Sequence, residues 1–296
     1  IYHNPYSPPQ QEIIRRLDLL REEKDSAAIE YQPVKHPCLT LGQHREFRHF
    51  HDDADVYHYL HFDMPLGMRG PKLVMTIHDI YPLVLEGYCG KLKQMYFRAL
   101  CRRNIDRCDR IITISQTSKR DILEKLNAPE ERITVIPQGY SPAFRPINDT
   151  EFLHQTRCRY NLPHHFILYC GNHKPHKNLH RLLEAYSQLP KEMQQNWPLV
   201  LTGDIGDDTV PLQQQARQTG IAEKVHFIGM IPAIDLPALF NLADVLVQPS
   251  LYEGFGLPPL EAMACGTVVV SSRGGALPEV VGEAARLFNP RNTDEF

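Results

Sequence analysis

A chain of 296 residues, 42% hydrophobic and 23% charged, has the composition of an ordinary globular protein and the length of two domains rather than one. A formal net charge of −3 and an isoelectric point near 6.6 exclude the broad basic field that binding a nucleic acid polymer requires. No apolar run approaches the length of a membrane span. The seven cysteines are scattered without a C-x-x-C pair, and no secretory leader precedes them, which reads as reduced thiols in a cytoplasmic protein. The chain opens at Ile1 and stops at "NPRNTDEF", just after a strand-like run, so one or both ends are expected to be missing.

In chain order, the first fifty residues carry His44, His49 and His51, with His58 and His61 beyond, among acids and aromatics in a spacing that supports no particular chemistry. From about residue 72 the pattern becomes regular. "KLVMTIHDI" is a buried strand, "KLKQMYFRALCRRNI" a helix, "RIITIS" a strand, "TSKRDILEKL" a capped helix and "RITVIPQG" a strand. A Pro-rich and polar passage, "SPAFRPINDT", interrupts the rhythm, and the divide is placed near residues 142–162. Strands "FILYCG", "PLVLTGD", "KVHFIG", "DVLVQPS" and "TVVVSS" then alternate with helices near 177–188, 211–219, 234–242 and 258–265. Continuous apolar strands separated by helices imply parallel sheets covered on both faces, and two such series imply two doubly wound α/β domains. The domains are 1–145 and 163–296, joined by a linker at 146–162.

In such sheets ligands bind beyond the carboxyl ends of the strands. His78-Asp79, Gly171, Gly203 and Glu253 all follow strands. The richest stretch is "SLYEGFGLPPLEAMACGT", residues 250–267. Pro258 and Pro259 suit a first helical turn, which places Glu261 in that turn and Glu253 in the loop before it. Gly254 and Gly256 let backbone approach a ligand, and the free N–H groups of the helix start attract anions. Two carboxylates beside an anion site fit a sugar nucleotide, whose hydroxyls donate to carboxylates while its phosphates take N–H groups. Spacing alone fits equally well a Glu261 that complements the helix dipole and a solvated Glu253. No H-E-x-x-H occurs. His173, His176 and His180 could share a helical face, but Lys174 and Lys177 would repel a cation there, so neither a metal nor another cofactor is expected.

The segment "EGFGLPPLE" resembles the E-x(7)-E signature of the retaining glycosyltransferases of family 4, which have the GT-B architecture. The likeness runs on through "PSLYEGFGLPPLEAMACGTVVVSSRGGALPEVVGEAARLFNP". Further segments are similar in order at "VMTIHDIYPL", "IITISQTSKRDI", "VIPQGY", "YCGNHKPHKNLHRLLEAY" and "VHFIGMI", together covering roughly residues 55–290. "VMTIHDIYPL" is similar to the mannosyltransferase-like branch. The resemblance implies two facing Rossmann-like domains with a cleft between them, the N-terminal one taking the acceptor and the C-terminal one the nucleotide sugar.

The same resemblance implies roles at matching positions. Glu253 would hold hydroxyls of the donor sugar and Glu261 the ribose, with N–H groups of Phe255, Gly256 and Leu257 on sugar and phosphate and Gly171 and Gly254 lining the donor. Lys177 matches the diphosphate lysine. Asn172, His173 and Lys174 stand where the family has an arginine upstream, which leaves Lys174 to supply the second positive charge. His78 would reach the transferred sugar, with Asp79 orienting backbone or His78. Met230 and Ile231 follow the strand at which the family's backbone reads the base, although their side chains also suit a core. Glu279, in "GGALPEV", is explained by a helix start. The family's glycine-rich loop after its first strand and its closing C-terminal helices have no counterpart here.

The activity so implied is transfer from GDP-mannose or a UDP-sugar to a hydroxyl of a glycan or lipid-linked acceptor, with retention of configuration. Rival readings are a nucleotide-sugar 2-epimerase of the same architecture and a non-catalytic sugar-nucleotide-binding module. A dinucleotide dehydrogenase is disfavoured because "GFGLPP" has Pro259 where a third glycine belongs. Between Lys91 and Arg110 lie seven Lys/Arg against Asp106 and Asp109. On the same segment Leu92, Met95, Tyr96, Ala99 and Leu100 form an apolar stripe expected to pack on the sheet, leaving the basic residues free to draw the protein to an anionic membrane at its cytoplasmic face.

Overall fold

The computed structural model describes residues 2–3, 32–33, 47 and 54–296; His44, His49 and His51 lie outside them. In chain order the elements begin with β1 (Tyr2–His3), β2 (Gln32–Pro33), β3 (Tyr57–Tyr59), β4 (Leu73–Thr76), α1 (Tyr81–Val84) and α2 (Lys91–Arg107). Next come β5 (Arg110–Thr113), α3 (Gln116–Leu126), β6 (Ile133–Val135), α4 (Thr150–Arg159), β7 (Ile167–Cys170), α5 (Leu179–Gln188) and α6 (Lys191–Asn196). The series closes with β8 (Leu199–Thr202), α7 (Thr209–Gln218), β9 (Val225–Gly229), α8 (Leu236–Leu242), β10 (Val245–Gln248), α9 (Leu257–Ala264), β11 (Val268–Ser272), α10 (Leu277–Val281) and β12 (Arg286–Phe288). The chain forms two compact units, Ile1–Ile77 with Arg98–Ile112 and His78–Phe97 with Thr113–Phe296.

In the first unit β3, β4 and β5 form a parallel ladder, with Tyr57 opposite Leu73 and Met75 opposite Ile111. Helix α2 buries Cys101, Asn104 and Ile105. Asn104 is admitted because its Nδ2 donates to the Phe62 carbonyl at 2.7 Å. Arg103 donates to the Met64 carbonyl at 3.2 Å and Arg107 to that of Met68 at 2.6 Å. The apolar stripe expected to be covered is not: Leu92, Met95 and Tyr96, which fall in the second unit, are 84%, 65% and 66% exposed. A smaller and partly polar face wins because Asn104, Arg103 and Arg107 satisfy loop carbonyls that would otherwise be left unpaired.

In the second unit six parallel strands run in the order β12-β11-β10-β7-β8-β9. This is a doubly wound sheet whose winding reverses between β7 and β10. Alternate side chains of its strands enter opposite cores. Leu168, Val200 and Leu246 join Phe166 and Phe240 on one face, while Tyr169, Leu199 and Leu201 join Leu183 and Leu212 on the other. The stretch expected to be a linker is largely the helix α4, with the Asp149 side chain accepting from Phe152 N–H at 3.0 Å. Its end is tied to the N-terminus of α8, where buried Asp235 accepts from Arg159 at 2.7 Å and from the Tyr160 hydroxyl at 2.5 Å.

At the carboxyl ends of β7 and β10 one side chain fastens two loops. Asn178, left-handed at φ 62°, donates through Nδ2 to the Pro249 carbonyl at 3.0 Å and the Pro290 carbonyl at 2.8 Å. Asn178→Ala leaves both acceptors unpaired and places a Cβ-bearing residue without side-chain compensation in the left-handed region, so we expect a loss of about 2–4 kcal/mol in urea denaturation. Asn178→Gly relieves the backbone cost alone and is expected to recover only a minor part of that loss.

Candidate functional site

The reversal between β7 and β10 sets Lys177 and Glu253 together. Lys177 closes a one-turn 3₁₀ helix, Pro175–Lys177, after β7. That turn is held to the loop after β10 by Leu251 N–H donating to the His176 carbonyl at 2.8 Å. The Lys177 ammonium then donates to both oxygens of Glu253, at 2.7 and 2.9 Å, with each side chain 14% exposed. Glu253 Oε1 also accepts from Gln248 Nε2 at 2.8 Å and from the Ser250 hydroxyl at 2.6 Å. Gln248 and Ser250 are fully buried. Sequence reasoning passed over both; the signal available was two polar residues ending the apolar run "DVLV" directly before the loop.

Backbone packing fixes the same loop from two sides. A Cβ on Gly254 would lie 2.7 Å from Asp79 Cβ and 3.0 Å from the His78 carbonyl, so this glycine is required by close approach. Gly275, at φ 62°, sets its backbone against Glu253: a Cβ there would come within 2.3 Å of the Glu253 carbonyl, which accepts from Ala276 N–H at 2.9 Å. The sequence reading drew only Glu279 from "GGALPEV", whereas the two glycines before it are what support the loop.

Helix α3 is tied to this assembly by several polar contacts. Glu279 accepts from the N–H groups of Gln116 and Thr117 at 2.8 and 3.1 Å, so it caps the start of α3 as well as lying in the first turn of its own helix, α10. Buried Ser118 donates to the His78 carbonyl at 3.0 Å. The Tyr252 hydroxyl, beside Glu253 in sequence, donates to Asp121 at 2.5 Å. Burial raises the Asp121 carboxyl and pushes the Tyr252 phenol far above its usual range. Within α3 the Ser115 side chain accepts from Ser118 N–H at 3.0 Å.

The remaining expected residues fall in several environments. Asp79 accepts from Tyr81 N–H at 3.3 Å and so orients the backbone that opens α1. Phe255 is buried and Leu257 half-buried, with Gly256 at φ 122° capping α9. The helix starts at Leu257, one residue earlier than expected, so Glu261 stands in its second turn and the dipole reading loses force. The Glu261 carboxylate is half-buried, takes no hydrogen bond from the described residues, and is held above its usual range by desolvation. Lys174 is exposed, Gly171 half-buried at the end of β7, Met230 72% exposed and Ile231 part of the core. The three histidines of "NHKPHKNLH" diverge. His173 pairs with Thr209 at 2.7 Å, and His180 with Gln215 at 2.7 Å. His176 stacks on Tyr81 with centroids 4.6 Å apart and is lowered to about 4, chiefly by burial.

Residues 159–296 match the family model described as glycosyl transferases group 1, and residues 8–144 match that of glycosyltransferase family 4. An O-antigen chain mannosyltransferase B of Escherichia coli is 33% identical over 267 residues, 90% of this chain and 68% of that protein. The chain belongs to the family 4 glycosyltransferases. A serotype-specific mannosyltransferase WbdA, also of E. coli, is 35% identical over 231 residues, which places this family member in the mannosyltransferase-like branch. That match takes in 76% of this chain but 28% of WbdA, so the chain spans about two thirds of the one relative and under a third of the other. In fold, a sucrose-phosphate synthase from Thermosynechococcus elongatus superposes with a TM-score of 0.74 at 20% identity, over 99% of this chain and 83% of that one. The architecture is the GT-B type expected from the sequence.

Asp79 gives the site a pH signature. Its carboxyl is held above 3.8 chiefly by burial, against the Tyr81 N–H, and further by the charge of Glu253. The folded state therefore keeps this proton to higher pH than the unfolded chain, and stability falls as pH rises from about 3.8 through the raised pKa. Asp79→Asn keeps an acceptor for Tyr81 without that charge. We expect urea denaturation between pH 3.5 and 7 to show the stability difference moving in favour of the variant across that window. A difference constant with pH would contradict this account.

Proposed function

We propose that the protein transfers a sugar from a nucleotide diphosphate donor, GDP-mannose or a UDP-sugar, to a hydroxyl of a glycan or lipid-linked acceptor, with retention of configuration. The observation that carries this reading is the pairing of Lys177 with Glu253 at the reversal of the sheet, the place where doubly wound folds bind nucleotides. Both mannosyltransferase relatives support a glycan acceptor and a mannosyl donor. The family matches at 8–144 and 159–296 support a division into an acceptor domain and a donor domain joined near 146–162.

In the proposed reaction the acceptor oxygen bonds to the anomeric carbon on the face from which the diphosphate departs. The bond from that carbon to the β-phosphate oxygen breaks, and the acceptor proton passes to a phosphate oxygen. Lys177, with Lys174 as the second cation, offsets the charge gathering on the leaving diphosphate, as do the N–H groups of Phe255, Gly256 and Leu257. Glu253 and His78 hold the sugar, and Glu261 the ribose, while backbone at Met230 and Ile231 reads the base. Such a site needs no metal. Glu261 suits its role because the carboxylate is already desolvated and lacks a described partner, so ribose hydroxyls meet no competing donor.

Two experiments test this reading. Glu261→Ala is expected to weaken nucleotide binding by roughly 1.5–3 kcal/mol in calorimetry, and Glu253→Ala to reduce turnover more than binding. Transfer is expected to persist in EDTA. Unchanged affinity in Glu261→Ala, or activity lost to the chelator and restored by Mg²⁺, would count against the assignment.

We also propose peripheral contact with anionic membrane through α2. The support is the exposed Leu92, Met95 and Tyr96 beside exposed Lys91 and Lys93. Each cation contributes about 1 kcal/mol near such a surface, and the apolar residues enter the interface. Cosedimentation with phosphatidylglycerol vesicles is expected to fall with added salt and with Lys91→Glu plus Lys93→Glu. Binding indifferent to lipid charge would favour a soluble acceptor.

A further inference from the structure

The groups assigned to opposite parts of the donor are bonded to one another. Lys177, the diphosphate cation, spends its charge on both oxygens of Glu253, the sugar-binding carboxylate, at 2.7 and 2.9 Å. The pair is also fixed in place. Ser250 and Gln248 hold Oε1 of Glu253 at 2.6 and 2.8 Å, and the Gly275 backbone closes on its main chain. Lys177 is held by its own turn, anchored through Asn178 and the His176 carbonyl.

From this geometry, and resting on the donor reading above, we infer that Glu253 competes with the diphosphate for Lys177 and so discriminates the intact donor from the spent nucleotide. A ligand carrying phosphate alone must take Lys177 from Glu253 and leave that carboxylate facing an anion with no replacement donor. A nucleotide sugar takes Lys177 with its phosphate and returns hydroxyl donors to Glu253. After transfer the sugar departs, its hydroxyls leave Glu253, and the carboxylate reclaims Lys177 and helps expel the nucleoside diphosphate. The ion pair is thus a selectivity and product-release device, and Gln248 and Ser250 position it.

The test is calorimetry on the full chain with GDP, UDP, GDP-mannose and UDP-glucose. For whichever diphosphate the wild type binds, Glu253→Gln is expected to bind it about tenfold tighter, the scale of one charge-assisted contact removed from competition. Affinity for the matching nucleotide sugar should rise less or fall, and product inhibition of residual transfer should strengthen in parallel. In a Lys177→Met background the same Glu253→Gln change should tighten binding less, since only the repulsion between carboxylate and phosphate is then relieved and no contested cation is released. Should Glu253→Gln fold poorly by circular dichroism, Glu253→Asp, which draws the carboxylate back by one methylene, is expected to give an intermediate gain. Wild-type binding with no gain in either variant, or an equal gain without Lys177, overturns the exchange while leaving the donor site in place. Absence of binding to all four ligands by the folded wild type overturns the donor reading and the exchange with it.

Discussion

A lysine and a glutamate at the carboxyl ends of neighbouring strands are the constraint around which the second unit is arranged. Lys177 and Glu253 are each 14% exposed, and charges so far removed from water are tolerable only when paired and further hydrogen-bonded. The fold meets that requirement with Gln248 and Ser250 on the carboxylate and with Asn178 fixing the turn that carries the lysine. Gly254 and Gly275 then allow backbone to close on the loop from two directions where any side chain would collide. The topology supplies the reason for the location, because β7 and β10 are adjacent in the sheet although widely separated in sequence, and doubly wound sheets bind ligands at such a reversal.

Helix α3 extends this order outward. Its N-terminal N–H groups donate to Glu279 and its Ser118 to the His78 carbonyl, while its Asp121 accepts from Tyr252. These are side chains of one helix, or of the helix capping it, acting on segments that carry candidate site residues. Positional accuracy at His78 and Glu253 therefore rests on two part-buried contacts, Ser118 to the His78 carbonyl and Tyr252 to Asp121, while the bonds to Glu279 lie at the surface. The stacking of neutral His176 on Tyr81 adds an apolar contact to the same set, and burial keeps that imidazole uncharged beside Lys177.

Helix α2 illustrates how a periodic signal can point the wrong way. Leu92, Met95 and Tyr96 recur at helical spacing, and a covered stripe was the natural expectation, yet the chain buries Cys101, Asn104 and Ile105 instead. The choice turns on carbonyls of residues 62–68, which Asn104, Arg103 and Arg107 satisfy. Periodicity identifies a helix and its apolar residues, but the face that turns inward is set by what the neighbouring backbone must bond to.

The architecture was legible in the sequence because parallel strands buried on both faces write themselves as continuous apolar runs, as "FILYCG", "PLVLTGD" and "DVLVQPS" do, while the edge strand "KVHFIG" is broken by His226. The family was legible too, since E-x(7)-E and the segments in order around it survive as linear text. Local chemistry followed the same rule: Pro258 and Pro259 marked the start of α9 to within a residue. What sequence could not decide were relations between distant residues. Lys177 and Glu253 were each assigned a ligand, and only the folded chain made them partners of one another. Ser250, Gly275 and Asp121 lay in family-like segments but drew no role there, Gln248 lay outside them, and Glu279 read as the start of its own helix until α3 was brought against it. Such roles depend on which carbonyls, N–H groups and charges the strand order leaves facing each other, and hydrogen bonds between residues up to 163 positions apart leave no periodicity to read.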